Sequence, residues 1–207
     1  MSLCTKLTPF GSRYRPFRAG EVLIFMDLKD AVPEVTQTII KDLPKQKYKL
    51  KMVGGGGGDG GAYGAGIWYG SGGSGAAFIG TLALTKGTYK FTCGSRGKNT
   101  PGVNQAGGTN GISSKLEKLN DNGTWELLIE AGGGFTGVWL NGPGDGGKIN
   151  VLLTPISIEL MQNGNPGNKG GMTGNLDGGT SVYAGYGQGC GTYGRGGTGG
   201  FLELSAL

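Results

Sequence analysis

The chain has 207 residues and a formal net charge of +5, with hydrophobic residues at 36% of the total. That length makes one compact domain or two very small ones. Glycine accounts for 48 positions, several-fold above the usual share of about 7%, which by itself points to low complexity. Apolar runs such as EVLIFM, TWELLIEA, VLLTPISIEL and GFLELSAL lie between the glycine blocks and can bury a core, so disorder of the whole chain is excluded.

Residues 1–35 form a glycine-poor leader with one expected strand, Val22 to Met26, and residues 36–207 the glycine-rich domain. VTQTIIKDLP reads as a strand. KYKLKMV follows, with Tyr48, Leu50 and Met52 alternating with lysines in the period of a half-buried strand. The alternating Lys45, Lys47, Lys49 and Lys51 share one face of that strand, either as a solvated sheet surface or as a strip attracting phosphate or acidic sugars. After the first glycine block, AAFIGTLALT and GTYKFTCG read as two strands joined by a hairpin at Lys86-Gly87. SSKLEKLNDNGTWELLIEA reads as a second hairpin around Asn122-Gly123, with Trp125 in its core. INVLLT and ISIEL read as a further pair around Pro155, and GFLELSAL closes the chain. No long segment carries apolar spacing of 3.6, so the expected class is all-β.

The glycine blocks admit three readings. As phosphate loops they fail on context, since chance supplies GxGxxG at this glycine density and no helix follows any match. In GPGDGGKI, Gly142, Gly147 and Lys148 keep the GxxxxGK spacing, but Ile149 stands where Ser or Thr should hold magnesium. As linkers the blocks should be indifferent to position. Instead Gly55, Gly58, Gly61, Gly64, Gly70 and Gly73 share one register of three, as do Gly185, Gly191, Gly194, Gly197 and Gly200, and Gly164, Gly167 and Gly170. A period of three matches the extended left-handed helix with three residues per turn and about 3.1 Å rise. Bare Cα edges let such helices pack closely and satisfy one another's backbone groups. The expected fold is therefore a β-sandwich, jelly-roll-like, whose glycine-rich connections form packed polyglycine II helices.

Catalytic chemistry is sparse. The chain has no histidine, which removes Ser-His-Asp and Cys-His catalysis and most zinc sites. Cys4, Cys93 and Cys190 are too dispersed for a ligand pair, and three cysteines do not make a secreted disulfide framework. Asp59, Asp145 and Asp177 sit in glycine-rich connections that fix no glycosidase spacing. KLNDNGTWELLI offers Lys118 and Ile129 at the end positions of a calcium loop, and is a turn instead. The expectation is no enzyme, no metal and no cofactor. No run approaches the roughly 18 apolar residues of a membrane helix. The N-terminus shows no signal-peptide core, which implies synthesis in a cytoplasm.

QTIIKDLPKQKYKLKMVGGGGGDGG, then GGSGAAFIGTLALTKGTYKFTCGSRG, then AGGTNGISSKL and LLIEAGGG, resemble the glycine-rich domain of bacteriophage tail-fibre and tail-tip proteins over roughly residues 36–204. Cys93 stands where that pattern usually has valine and reads as a buried apolar residue. The glycine-rich domain of certain receptor tyrosine kinases has a similar mix of sandwich and polyglycine helices, but is extracellular and disulfide-bonded. The phage resemblance implies a non-enzymatic adhesin in the virion tail, made in the host cytoplasm. Its partners would be a bacterial surface receptor, a glycan or an outer-membrane protein, and other tail subunits or further copies of itself. Nucleic acid is not among them, since GRGG occurs once. Residues 1–35, with Arg13, Arg15 and Arg18, would attach it to the fibre. Bulky residues inside the glycine blocks are the receptor-binding candidates: Tyr63, Trp68, Tyr69, Phe135, Trp139, Tyr183, Tyr186 and Tyr193. Aromatics of this kind give large contact area at low entropic cost. The rivals are a structural assembly module that buries these aromatics between subunits, and an ice-binding protein, which would carry flatter Thr or Ala faces.

Overall fold

The computed structural model describes residues 17–30, 35–60, 62–63, 67–68, 70–99, 108–138, 142–168, 178–183, 185–191 and 197–207, with backbone alone at 62–63 and 67–68. Among them there is no helix. The strands are β1 (Val22–Asp27), β2 (Val35–Leu43), β3 (Gln46–Val53), β4 (Ala62–Tyr63), β5 (Ile67–Trp68), β6 (Ala77–Leu84), β7 (Gly87–Gly94), β8 (Ser114–Leu119), β9 (Trp125–Ala131), β10 (Ile149–Val151), β11 (Ser157–Gln162) and β12 (Phe201–Ala206). Two antiparallel five-stranded sheets pack face to face as a β-sandwich, in the orders β1-β12-β3-β6-β11 and β10-β9-β8-β7-β2. The strand expected in the leader belongs to this sandwich: β1 pairs with β12, and Ile24 and Met26 are in its core.

Alternation decides which side chains go inside. On β3, Tyr48, Leu50 and Met52 are fully buried while Lys47, Lys49 and Lys51 point outward. Phe78, Leu82, Leu202 and Leu204 complete that layer, and Leu43, Tyr89, Phe91, Cys93, Leu116 and Ile129 answer it from the other sheet. Burying each of the larger aliphatic or aromatic side chains contributes about 1.5–3 kcal/mol. The lysine face is solvated and partly neutralised: Lys49 pairs with Glu159 at 2.9 Å and Lys51 with Glu203 at 3.0 Å.

Three local expectations are corrected. Lys86-Gly87 does not close a hairpin, because β6 and β7 lie in different sheets and the chain arches between them. Tyr89 Oη donates back to Thr85 O at 2.9 Å across that arch, and Tyr48 Oη donates to Pro44 O at 2.8 Å across the matching β2–β3 arch. The β2–β3 arch begins at Asp42, whose φ of +55° turns the strand end inward toward the buried Leu43. The runs either side of Pro155 are likewise strands of opposite sheets, β10 against β9 and β11 against β6. Trp125 is only half-buried, with the Lys90 ammonium 4.6 Å from its ring centroid, on the outer face of its sheet. The Asn122-Gly123 hairpin is as expected, with Gly123 at φ +82° and Asn122 Oδ1 accepting from Thr124 N at 3.0 Å.

The glycine blocks leave one end of the sandwich and return to it. Segment 54–60 spreads its amides over several neighbours in rotation. Gly54, Gly57 and Gly60 N–H donate to Ala76, Gly73 and Gly70 O, whereas Gly55 and Gly58 donate to Ile112 and Thr109 O and Gly56 donates to Thr198 O. Segment 71–76 repeats the rule: Ser71 and Ser74 donate to Asn168 and Asn165, Gly72 and Gly75 to Cys190 and Gly187, and Gly73 and Ala76 to Phe135 and Gly132. Every third amide meets the same neighbour, unlike a sheet strand, whose hydrogen bonds leave on two sides. The carbonyls of Gly55, Gly56 and Gly57 accept from Gly134, Gly97 and Cys190. Segment 54–60 is thus enclosed by backbone from six directions: 70–76, 94–98, 108–112, 132–137, 187–190 and 197–198. At Gly55, Gly56, Gly73 and Gly137 an added Cβ would overlap a neighbouring carbonyl oxygen.

Gly55→Ala, which drives a methyl into Ser95 O, is expected to cost at least about 3 kcal/mol in denaturant unfolding. Gly87→Ala, whose nearest neighbour is the flexible Lys118 Cε at 3.3 Å, should stay within about 1 kcal/mol of the parent. Equal effects would mean that the glycine segments are not close-packed. Cys93 and Cys190 are buried and free, and burial pushes their thiols up to about 12 and about 11. Both thiols should resist disulfide reagents in the native protein near pH 8 and react only on unfolding. Their folded values lie above the unfolded ones, so the stability tied to the neutral thiols is full below about pH 9 and lost as pH rises through 11 to 12.

Candidate functional site

The eight candidate aromatics are not gathered into one site. Tyr63 and Trp68 lie on the β4–β5 ladder, whose backbone pairs are Ala62 with Trp68 and Tyr63 with Ile67. This ladder follows the Gly60–Gly70 hydrogen bond, so it caps the end of the glycine array farthest from the sandwich. Val138 and Gly142 bridge at the same end, next to the Gly137-to-Gly58 hydrogen bond. Tyr69, Trp139 and Tyr193 lie outside the described residues. Phe135 is 47% exposed and Val138 48%, three residues apart on one extended segment, so both fall on the same outer edge of the array.

Tyr183 and Tyr186 lie at the opposite end. Gly187, next to Tyr186, packs against Gly54 at the start of segment 54–60, whereas the Gly60–Gly70 hydrogen bond lies at that segment's other end. Here the two tyrosines come together, with ring centroids 6.2 Å apart. They stand on Phe201: Tyr183 stacks on it at 6.0 Å and 22°, and Tyr186 lies 4.9 Å away at 38°. Phe25 of β1 meets Phe201 edge-on at 5.5 Å and is itself 53% exposed. Sequence reasoning missed Phe25 and Phe201. Their signal was the outward parity of Phe25 on β1, but only the register that places Asp27 opposite Phe201 brings them side by side.

The local chain builds this cluster. Phe201, Val53 and Ala77 are register partners across β12, β3 and β6, and form an apolar row on the outer face of the sheet. Residues 181–183 and 185–187 cover that row. Gly185 takes φ +82° and Gly187 φ +66°, which a Cβ would strain, and Tyr186 N–H donates to Tyr183 O at 2.9 Å. Ser181 Oγ sits inside the turn, its single hydrogen within reach of the carbonyls of both Tyr183 and Tyr186, and accepts from Tyr183 N at 3.1 Å. Tyr186 Oη donates to Asp27 Oδ2 at 2.9 Å, while Asp27 Oδ1 accepts from Lys29 N at 3.0 Å. Burial, then the hydrogen bond and the charge of Asp27, push the Tyr186 phenol up to about 12.

Elsewhere the polar inventory is modest. Lys86, Thr88, Lys118, Asn120 and Asp121 line an open hollow of about 360 Å³ at the end of the sandwich away from the glycine array. Among the described residues, no three His, Cys, Asp or Glu side chains stand close enough to hold a metal ion, and no helix is long and apolar enough to cross a membrane. Segment 142–148, which carries the GxxxxGK spacing, is extended and leads into β10, so it does not cradle a phosphate at a helix start. No family model and no curated protein matches the chain.

A tyrosinate absorbance titration should show late-ionising phenols, Tyr48 and Tyr186 among them. Asp27→Asn keeps the side-chain shape and removes the charge, so it should bring one of these down toward the ordinary value near 10. A titration unchanged by Asp27→Asn would show that burial alone sustains the shift. With the folded value above the unfolded one, the stability tied to the Tyr186 phenol is complete below about pH 10 and lost as pH rises through about 12.

Proposed function

We propose that this protein is a non-enzymatic recognition domain of the phage tail-tip or tail-fibre kind, which binds a bacterial surface receptor while its glycine segments pack as polyglycine II helices. The observation that carries the reading is polarity. Gly20 N–H donates to Ala206 O, so the outer ends of β1 and β12 meet at the base of the sandwich. The glycine segments turn back at the opposite end, where Gly60 meets Gly70 and Val138 meets Gly142. Attachment at the base and recognition at the far end is the economical use of such a body. Close backbone packing of segments 54–60 and 70–76 gives that end a preorganised support and lowers the ordering cost of binding there. The rotating hydrogen bonds at intervals of three support the polyglycine II assignment.

Fluorescently labelled protein should stain cells of a susceptible bacterium. Trp68→Ala combined with Trp139→Ala should reduce that staining by roughly tenfold or more, as loss of a hot-spot aromatic does. Full binding by the folded double variant would remove these two tryptophans from the recognition surface. A second reading, an assembly module, is favoured by β11, an edge strand among the described residues, where Ile158 and Met161 are 48% and 50% exposed and Ile156 just before it 49%. Concentration-dependent association in sedimentation, lost in Ile158→Lys, would support it.

A further inference from the structure

We propose that Phe25, Tyr183 and Tyr186, standing on Phe201 beside the Asp27 carboxylate, form a platform for one neutral pyranose unit of a glycan. The site is on the side of the sandwich at the foot of the glycine array, so it is independent of the far end and of the reading given above. Ring faces carry negative quadrupole charge, and the C–H groups on one face of a pyranose carry partial positive charge. A sugar therefore stacks on aromatic rings without needing a pocket. The interplanar angles of 22°, 30° and 38° within the Tyr183, Tyr186 and Phe201 set make a shallow common face, and the exposed Phe25, at 82° to Phe201, stands at its side as a wall against which the edge of the sugar can pack.

The polar rim fits hydroxyls rather than a charged ligand. Asp27 keeps acceptor capacity after taking the Tyr186 hydroxyl and the Lys29 amide, since a carboxylate offers about four lone-pair sites. The Lys29 ammonium lies near Gly185 and can donate to the same ligand. Lys51, which also faces Tyr183, is engaged by Glu203 at 3.0 Å. With Asp27, Asp30 and Glu203 around the rings, an acidic sugar is repelled. The turn is already shaped by Ser181 and the two positive-φ glycines, so little ordering is left to be done on binding.

The test is amide chemical-shift mapping of the full chain against methyl pyranosides of glucose, galactose, mannose and N-acetylglucosamine, together with an uncharged peptide of alternating Val and Thr. At least one sugar should shift the amides of residues 25–29 and 181–187 with a millimolar Kd. Phe25→Ala, a change at an exposed position, should weaken that sugar by roughly tenfold, and Asp27→Asn should weaken it while leaving the stacked rings in place. Trp68→Ala, on the β4–β5 ladder, should bind it unchanged, which separates this site from the far end. The proposal is overturned if no sugar shifts these amides in the folded protein, if the shifts fall elsewhere, or if Phe25→Ala binds as well as the parent. It is equally overturned if only the peptide binds, adding to the free edge of β1.

Discussion

Everything in this molecule depends on backbone groups satisfying one another where no side chain fits. In segment 54–60 the amides and carbonyls reach six neighbouring stretches, and the added Cβ positions fall on the carbonyls of other segments. Glycine loses more conformational freedom on folding than any other residue, so this ordering is unfavourable until nearly every donor has a partner. Where backbone alone does not suffice side chains step in, as at the buried Ser71 and Ser74, whose Oγ atoms accept from Asn168 N at 2.6 Å and Asn165 N at 2.7 Å.

The sandwich supplies what the glycine array lacks. A glycine segment buries no side chain, and hence has little hydrophobic drive of its own. The array is rooted in strands whose Tyr48, Phe78, Phe91 and Leu202 fill a dry core, and each root fixes where one extended segment begins. Val53 shows the join. Its carbonyl accepts from Ser114 Oγ at 2.7 Å, and Ser114 Oγ accepts from Gly94 N at 3.1 Å, so three roots from both sheets are tied at one point. This division of labour, core for stability and glycine array for rigid reach, suits a body that presents loops far from its base.

The alternating pattern made much of the fold legible in advance. The β3 lysine face, the Asn122-Gly123 turn and the burial of Cys93 all follow from parity, turn chemistry or polarity within a few residues. Lys86-Gly87 and Pro155 fail for one reason: whether two consecutive strands pair or cross to opposite sheets depends on distant partners. Trp125 fails for another, because the register shift between Leu116 and Glu117 breaks the alternation of β9 and leaves Trp125 on the outer face. The segment from Ala77 to Gly94 has good hairpin chemistry, yet β3 and β11 already occupy both edges of β6, so β7 must find its partners in the other sheet. The candidate site shows the same limit. Aromatic enrichment in the glycine blocks picked out Tyr183 and Tyr186, while Phe25 and Phe201 became their neighbours only through the β1–β12 register.

From the sequence alone came the all-β class, the inside and outside of β3, and the three-residue spacing of the glycines, because these are properties of the chain over a few bonds. Tertiary structure decided which sheet each strand joined, which six segments surround segment 54–60, and which aromatics meet. Those outcomes turn on competition among long-range partners for a limited number of edges and contacts, and no local pattern of residues encodes the winner.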